Sequence, residues 1–268
     1  MQFNPVNLRK TILEMAFKGQ SVHIGCAFSL VEICAVLYRS ILNLGDKTPR
    51  ALDRDYLVMS KGHGVMAQYA CMRELDWLSE QDIHHYFGEG TELKGLAEYN
   101  VPGLEVSSGS LGHGLSVGVG LALGSLKKNE NRRIFCIVGD GEMNEGSIWE
   151  GIIFASHFKL HNFFLIVDEN SFQAMGSTKE VMDMGDIRLK LEAFGFTALN
   201  VDGHNEKDLL KAINQLLDTH DGKPKALVAK TVKGYGVSFM AANNIWHYTR
   251  LTNETYQAAI NELERKKL

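Results

Sequence analysis

The chain has 268 residues, 45% of them hydrophobic and 22% charged, a globular composition with room for one large α/β domain or two small ones. A formal net charge of −4 offers no basic surface for nucleic acid. The N-terminus has no apolar signal core and no window approaches a membrane span, so a cytoplasmic protein without membrane or nucleic-acid partners is expected.

In chain order, Leu8, Ile12, Met15 and Ala16 share a helical face, with Gly19 placed to end that helix. Ser29 and Glu32 have capping-box spacing and predict a second helix running through Tyr38. Tyr56 to Met59 reads as a short buried strand, followed by Lys61-Gly62-His63-Gly64 and a helix to Leu75. Residues 79–87 read as helical with Ser79 as cap, and residues 88–110 as a glycine-rich irregular loop, long enough inside a compact fold to carry function. Leu115 to Leu126 predicts a helix whose Gly118, Gly120 and Gly124 allow close packing. Apolar runs at residues 133–138 and 163–167 flank a helix-like stretch starting near Asn144. Phe196 to Val201 and Ala226 to Val232 are further strands, Asn205 caps a helix to Leu217, and Thr252 caps a polar terminal helix. Strands alternating with helices predict an α/β fold, a mostly parallel sheet covered by helices on both faces. Cys26, Cys34, Cys71 and Cys136 lie in apolar stretches without CxxC spacing and read as reduced core thiols.

The chemistry concentrates where two of these strands end. Asp140 follows the run to Val138, and Asn170 follows the run to Val167. Joined by a helix, the two strands form a βαβ unit, which brings both oxygen ligands to one sheet edge, where open α/β sheets bind ligands. Magnesium takes one or two carboxylates together with phosphate oxygens in an octahedral shell. Asp140 supplies charge, Asn170 a neutral amide oxygen, and Gly141 lets the backbone approach a phosphate. The helix near Asn144 is expected to aim free N–H groups at the same spot. A plain strand-to-helix turn would account for Gly139-Asp140-Gly141 alone, but not for the second strand end carrying Asn170. A dinucleotide fold lacks its GxGxxG, and the P-loop pattern is absent.

Gly139-Asp140-Gly141 with Asn170 resembles the thiamine diphosphate fingerprint, and four flanking segments resemble the transketolase family. These are Ser21-Val-His23-Ile-Gly25, Ser60-Lys-Gly-His-Gly64, Ser108-Gly-Ser-Leu-Gly-His-Gly114 and Lys230-Thr-Val-Lys-Gly-Tyr-Gly236. The resemblance spans about residues 10–250 and covers only half of the family's enzyme. It implies one diphosphate-binding domain over residues 1–268, the N-terminal subunit of a split transketolase. The partner would be a C-terminal subunit carrying the pyrimidine-binding half, in an α2β2 heterotetramer. The activity implied is transfer of a two-carbon ketol group from a ketose phosphate to an aldose phosphate, with thiamine diphosphate and magnesium (or calcium or manganese) as cofactors. The glutamate that activates the aminopyrimidine would lie on the partner, leaving this chain inactive alone.

Carried over by resemblance, Asp140, Asn170 and the Phe172 carbonyl would bind the metal. Gly139 and the Gly141 N–H would meet the diphosphate, and Gly109, Ser110 and Leu111 would line the cofactor. His63 and His247 would contact the cofactor and, with His23, serve the reacting centre. A helix C-terminal dipole would also favour a histidine at His23. Tyr248 replaces the glycine the family has after the histidine at 247, and His113 stands at a family glutamine with no proton-transfer role assigned. The remaining histidines, such as His84, His85 and His161, read as surface residues. Glu145 and Glu150 match family glutamates at the dimer interface, and equally suit a helix start. Leu96 stands where the family places a donor-contacting histidine, and leucine cannot hydrogen-bond a ketose hydroxyl. The donor is therefore expected to differ, or another group to supply the contact. The alternatives are a non-catalytic partner-binding subunit or a different thiamine-dependent C–C bond enzyme, such as a sulfosugar transketolase.

Overall fold

The computed structural model describes residues 2–265, leaving residue 1 and residues 266–268 outside the description. The strands are β1 (Tyr56–Met59), β2 (Ile134–Gly139), β3 (Phe163–Glu169), β4 (Phe172–Gln173), β5 (Gly176–Ser177), β6 (Thr197–Asp202) and β7 (Lys225–Lys230). The helices are α1 (Pro5–Lys18), α2 (Ile24–Phe28), α3 (Val31–Val36), α4 (Val65–Glu74), α5 (Glu80–His84), α6 (His113–Lys127), α7 (Gly146–His157), α8 (Thr178–Met182), α9 (Ile187–Ala193), α10 (Glu206–Leu217) and α11 (Asn253–Arg265).

Five strands pair in parallel in the order β1-β2-β3-β7-β6, and β4 and β5 make a small antiparallel hairpin beyond β3. Side chains alternate across the sheet. Leu57, Phe135, Ile137, Phe164, Ile166 and Leu227 pack with α1, α3, α4, α10 and α11. Val58, Cys136, Val138, Leu165, Val167 and Val228 pack with α6, α7 and α9. Every residue of β2 is buried, as expected for a strand covered on both faces. The parallel α/β architecture read from the sequence is therefore the one observed. All four cysteines are buried and free.

Three local readings are corrected. The Ser29–Glu32 capping box does not form: the Ser29 hydroxyl donates to the Cys26 carbonyl (3.1 Å) and to Asp168 Oδ2 (2.7 Å). Glu32 instead pairs with Arg9 at 2.7 Å inside the core, because a buried guanidinium demands a carboxylate more than a helix start does. The α-helix expected near Asn144 begins at Gly146, and Gly141–Asn144 form a 3₁₀ turn that carries the chain away from β2 first. In α6, Gly118 packs close to Phe163 (3.3 Å from its absent Cβ), whereas Gly120 and Gly124 face nothing within 4 Å.

Candidate active site

Because the sheet is parallel, the C-terminal ends of its strands share one edge. The end of β1 leads to Ser60 and Lys61, β2 to Asp140, β3 to Asp168 and Asn170, and β7 to Thr231 and Lys233. Lys61, Asn170 and Thr231 from three of these ends meet a fully buried carboxylate, Asp168. Asp168 Oδ2 accepts from Ser29 Oγ (2.7 Å), Asn170 Nδ2 (3.0 Å) and the Lys61 ammonium, while Oδ1 accepts from Thr231 Oγ1. Burial pushes this carboxyl up, but the Lys61 charge and these hydrogen bonds outweigh it and hold the group below its ordinary value.

Asp140 has the opposite balance. It is buried, and its oxygens accept only the N–H groups of Gly141 (2.9 Å) and Ser171 (2.6 Å). Burial, reinforced by the Asp168 charge, pushes its carboxyl up to about 7. Asn170 uses its amide nitrogen on Asp168, which turns its Oδ1 toward the Phe172 N–H (3.1 Å). Glu142 ties the surrounding turns together, accepting from Ser60 Oγ (2.6 Å), the Gly112 N–H (2.9 Å) and the Gly139 N–H (3.2 Å).

Above these groups lies a cleft of about 450 Å³. Gly139, Asp140, Gly141, Asn170 and Phe172 line one part of it, and Glu145, read from the sequence as an interface residue, lines it as well. His23, His63, His247, Gly109 and Leu111 line the remainder. Ser110 is exposed and is not part of this lining, and Glu150 is exposed on α7. The three imidazoles cluster, with ring centroids 5.2 Å apart for His23–His63, 5.4 Å for His23–His247 and 5.8 Å for His63–His247. Burial first, and then the lysine charges, holds His63 well below its ordinary value and brings His247 to about 3. His23 is likewise lowered, mainly by burial. The lowered values favour the neutral imidazole in all three, suited to hydrogen-bonding hydroxyls rather than to carrying charge. His23 caps the start of α2 with φ +67°, so the C-terminal dipole considered for it is absent.

Sequence reasoning passed over three charged groups here. Lys61 and Lys233 sit inside segments singled out for other residues, and Asp168 lies two positions before Asn170. Lys233 donates to His247 Nδ1 (2.5 Å) and Asn244 Oδ1 (3.1 Å), and burial lowers its ammonium from the ordinary value. The available signal was a charged residue within or within three residues after an apolar strand. His84, His85 and His161 are exposed as read, but His204 is not a surface residue. Its Nδ1 meets Glu32 at 2.9 Å and its Nε2 accepts the Val232 N–H at 2.8 Å.

The residues fit a hard divalent cation and a diphosphate. Among the described residues Asp140 is a buried carboxylate bonded only by backbone N–H groups, and it lines the cleft with Asn170 and Phe172. The Asn144 amide nitrogen and His23 Nδ1, both on cleft-lining residues, are buried without a hydrogen-bond partner, as groups reserved for a ligand would be.

A parallel α/β sheet with an acid and an amide at adjacent strand ends under a histidine-walled cleft has the arrangement of a ligand-binding α/β domain. Residues 6–265 match the family described as transketolase, thiamine diphosphate binding domain, and the chain belongs to that family. It is 36% identical over 259 residues to an apulose-4-phosphate transketolase subunit of Phocaeicola vulgatus, covering 96% of this chain and 92% of that one. It is 34% identical over 260 residues to a 6-deoxy-6-sulfo-D-fructose transketolase subunit of Clostridium sp., covering 97% and 94%. The solved transketolase of Leishmania mexicana superposes with a TM-score of 0.90 at 27% identity, covering 99% of this chain and 42% of that one. The chain thus spans about two-fifths of that transketolase's length. No helix among the described residues is long and apolar enough to cross a membrane.

Proposed function

We propose that this chain is the diphosphate-binding subunit of a two-chain, cytoplasmic transketolase. With a partner carrying the pyrimidine-binding half, it moves a two-carbon ketol group from a ketose phosphate to an aldose phosphate. The observation that carries the reading is the Asp140–Asn170 pair opening into the cleft walled by His23, His63 and His247. Asp140, Asn170 and the Phe172 carbonyl would hold magnesium, and the Gly141 N–H the diphosphate. Thiamine diphosphate, when bound, supplies the carbon nucleophile and the electron sink for C–C cleavage. The protein's share is positional. The Asp168 network fixes Asn170, Gly109 and Leu111 shape the cofactor wall, and the three imidazoles hold the sugar's hydroxyls by hydrogen bonds.

The two-chain architecture is supported by near-complete coverage of relatives that are themselves named as transketolase subunits, against partial coverage of a single-chain transketolase. An α2β2 assembly fits the outer face of α6 and α7, where Val117, Ile153, Phe154 and Phe158 are exposed beside Gly120 and Gly124. Glu145 and Glu150 lie at the start and first turns of α7, within reach of such a contact.

Leu96 is 39% exposed and rests against Gly109, with its Cδ1 2.6 Å from where a Gly109 Cβ would stand. Together with His23, Tyr248 and Arg250 it lines a second hollow. Leucine offers no hydrogen bond at this point of a hollow that Lys94, Glu98 and Arg250 also line, which favours a donor outside the common sugar phosphates. Ketoses of the kind named for the two relatives are the first to assay, and another thiamine-dependent C–C reaction is the second reading. Calorimetry of the assembled complex tests the core of the proposal. Asp140→Ala should weaken magnesium-dependent thiamine diphosphate binding by at least the roughly 10- to 100-fold that loss of a supporting contact costs. Unchanged affinity would remove the metal assignment.

A further inference from the structure

His23 and Cys26 stand three residues apart at the start of α2, and the Cys26 N–H donates to the His23 carbonyl (3.1 Å). His23 is the left-handed residue that precedes the helix, and Cys26 lies in its first turn. His247 arrives from the 3₁₀ turn beyond β7, placing its Nδ1 3.9 Å from Cys26 Sγ. One ligand atom from each of the three residues lies within 4.8 Å of the other two. Among the described residues His23 Nδ1 is buried without a geometric hydrogen-bond partner, although the ring also feels the His247 backbone.

A thiol sulfur and two imidazole nitrogens make a borderline-soft donor set, chemically unlike the oxygen set at Asp140 and Asn170. Zinc binds such sets tetrahedrally with bonds of about 2.0–2.3 Å, which keeps donors roughly 3.3–3.6 Å apart. Rotations moving the ligand atoms by on the order of 1 Å would close the present arrangement to that spacing. The charges facing the site are Lys233 and Lys61 against Asp168 and Asp140. Lys61 is engaged by Asp168, whereas Lys233 donates to His247 and would have to release it or share the ring. Binding would also displace the Cys26 proton, so capture of the metal releases acid.

We propose that His23, Cys26 and His247 form a second cation site, selective for a thiophilic divalent metal of the zinc class. The site shares the cleft with the magnesium position but none of its ligands. Filling it ties two of the three cleft imidazoles to the metal, which makes zinc an inhibitor of the assembled enzyme. The binding claim stands without the transketolase reading, and only the inhibitory consequence rests on it.

The test uses the purified chain, stripped with chelator and titrated with cobalt(II) as a spectroscopic probe. The expected result is a stoichiometric thiolate-to-cobalt charge-transfer band in the near ultraviolet, preserved in excess magnesium and displaced by zinc. Cys26→Ser should abolish the band, and His247→Gln should weaken cobalt binding more than about tenfold. Thermal melts followed by circular dichroism check that each variant folds, with Cys26→Ala replacing Cys26→Ser if the serine variant does not. No band, a band surviving in the folded Cys26 variant, or a band lost to magnesium would each overturn the site. In the complex reconstituted with its partner, zinc should inhibit at saturating magnesium, with more than about tenfold more zinc needed in the Cys26 variant relative to its own uninhibited rate. A retained cobalt band with an uninhibited complex would overturn the inhibitory consequence alone.

Discussion

The placing of Asp140 and Asn170 at adjacent strand ends was legible because each follows an apolar strand. Lys61, Asp168 and Lys233 were not, because their partners lie far away along the chain. Lys61 and Asp168 are separated by 107 positions and meet only when β1 and β3 are placed in one sheet. The consequence is testable at single residues. Lys61→Met leaves Asp168 as an uncompensated buried charge and should cost about 3–5 kcal/mol in urea unfolding, with a lower melting temperature. Gly109 has φ +149°, and an added Cβ would lie 2.6 Å from Leu96 Cδ1. Gly109→Ala should therefore lower stability by about 1–3 kcal/mol and weaken cofactor binding in calorimetry, since Leu96 must move into the cleft wall.

At the scale of elements, most helices and strands followed from apolar periodicity, with boundaries shifted by a residue or two. The Ser29–Glu32 spacing failed because Glu32 serves α1 and the segment after β7 rather than its own helix. Arg9 bonds Glu32, its Nε reaches the Tyr235 carbonyl (2.8 Å), and His204 stacks on Tyr235 at 3.7 Å while bonding Glu32. This network fixes the chain that delivers Lys233 and His247. Burial raises the Glu32 carboxyl, but the His204 hydrogen bond and the Arg9 charge outweigh it, leaving the group below its ordinary value of 4.5. A depressed carboxyl contributes stability that is complete above the unfolded value and lost as pH falls through the folded one. Glu32→Gln should thus lower stability at neutral pH and flatten the acid limb below about pH 4.5 in urea melts across pH 3–7. An acid limb as steep as in the parent chain would contradict the pairing.

For the molecule as a whole, the parallel sheet was readable from alternating strand and helix patterns. Its order was not, since the insertion of β7 between β3 and β6 is decided by packing on both faces rather than by any local signal. Residues 88–110 contain no helix or strand, in keeping with their glycine-rich sequence. The exposed α6–α7 face became visible only once Gly120 and Gly124 proved to have no described atom within 4 Å of where a Cβ would stand. Ile153→Lys on that face should shift the assembled complex toward smaller species in sedimentation while leaving the melting temperature of the isolated chain unchanged.

The most direct measurement of the central claim is ketol transfer during titration of this chain with a pyrimidine-domain partner, at saturating thiamine diphosphate and magnesium. The account predicts no turnover from either chain alone, activity that rises to a plateau at equimolar chains, and loss of that activity in Asp140→Ala. Turnover by this chain alone, or a formed complex that binds cofactor yet transfers no ketol group across a broad panel of sugars, would contradict it.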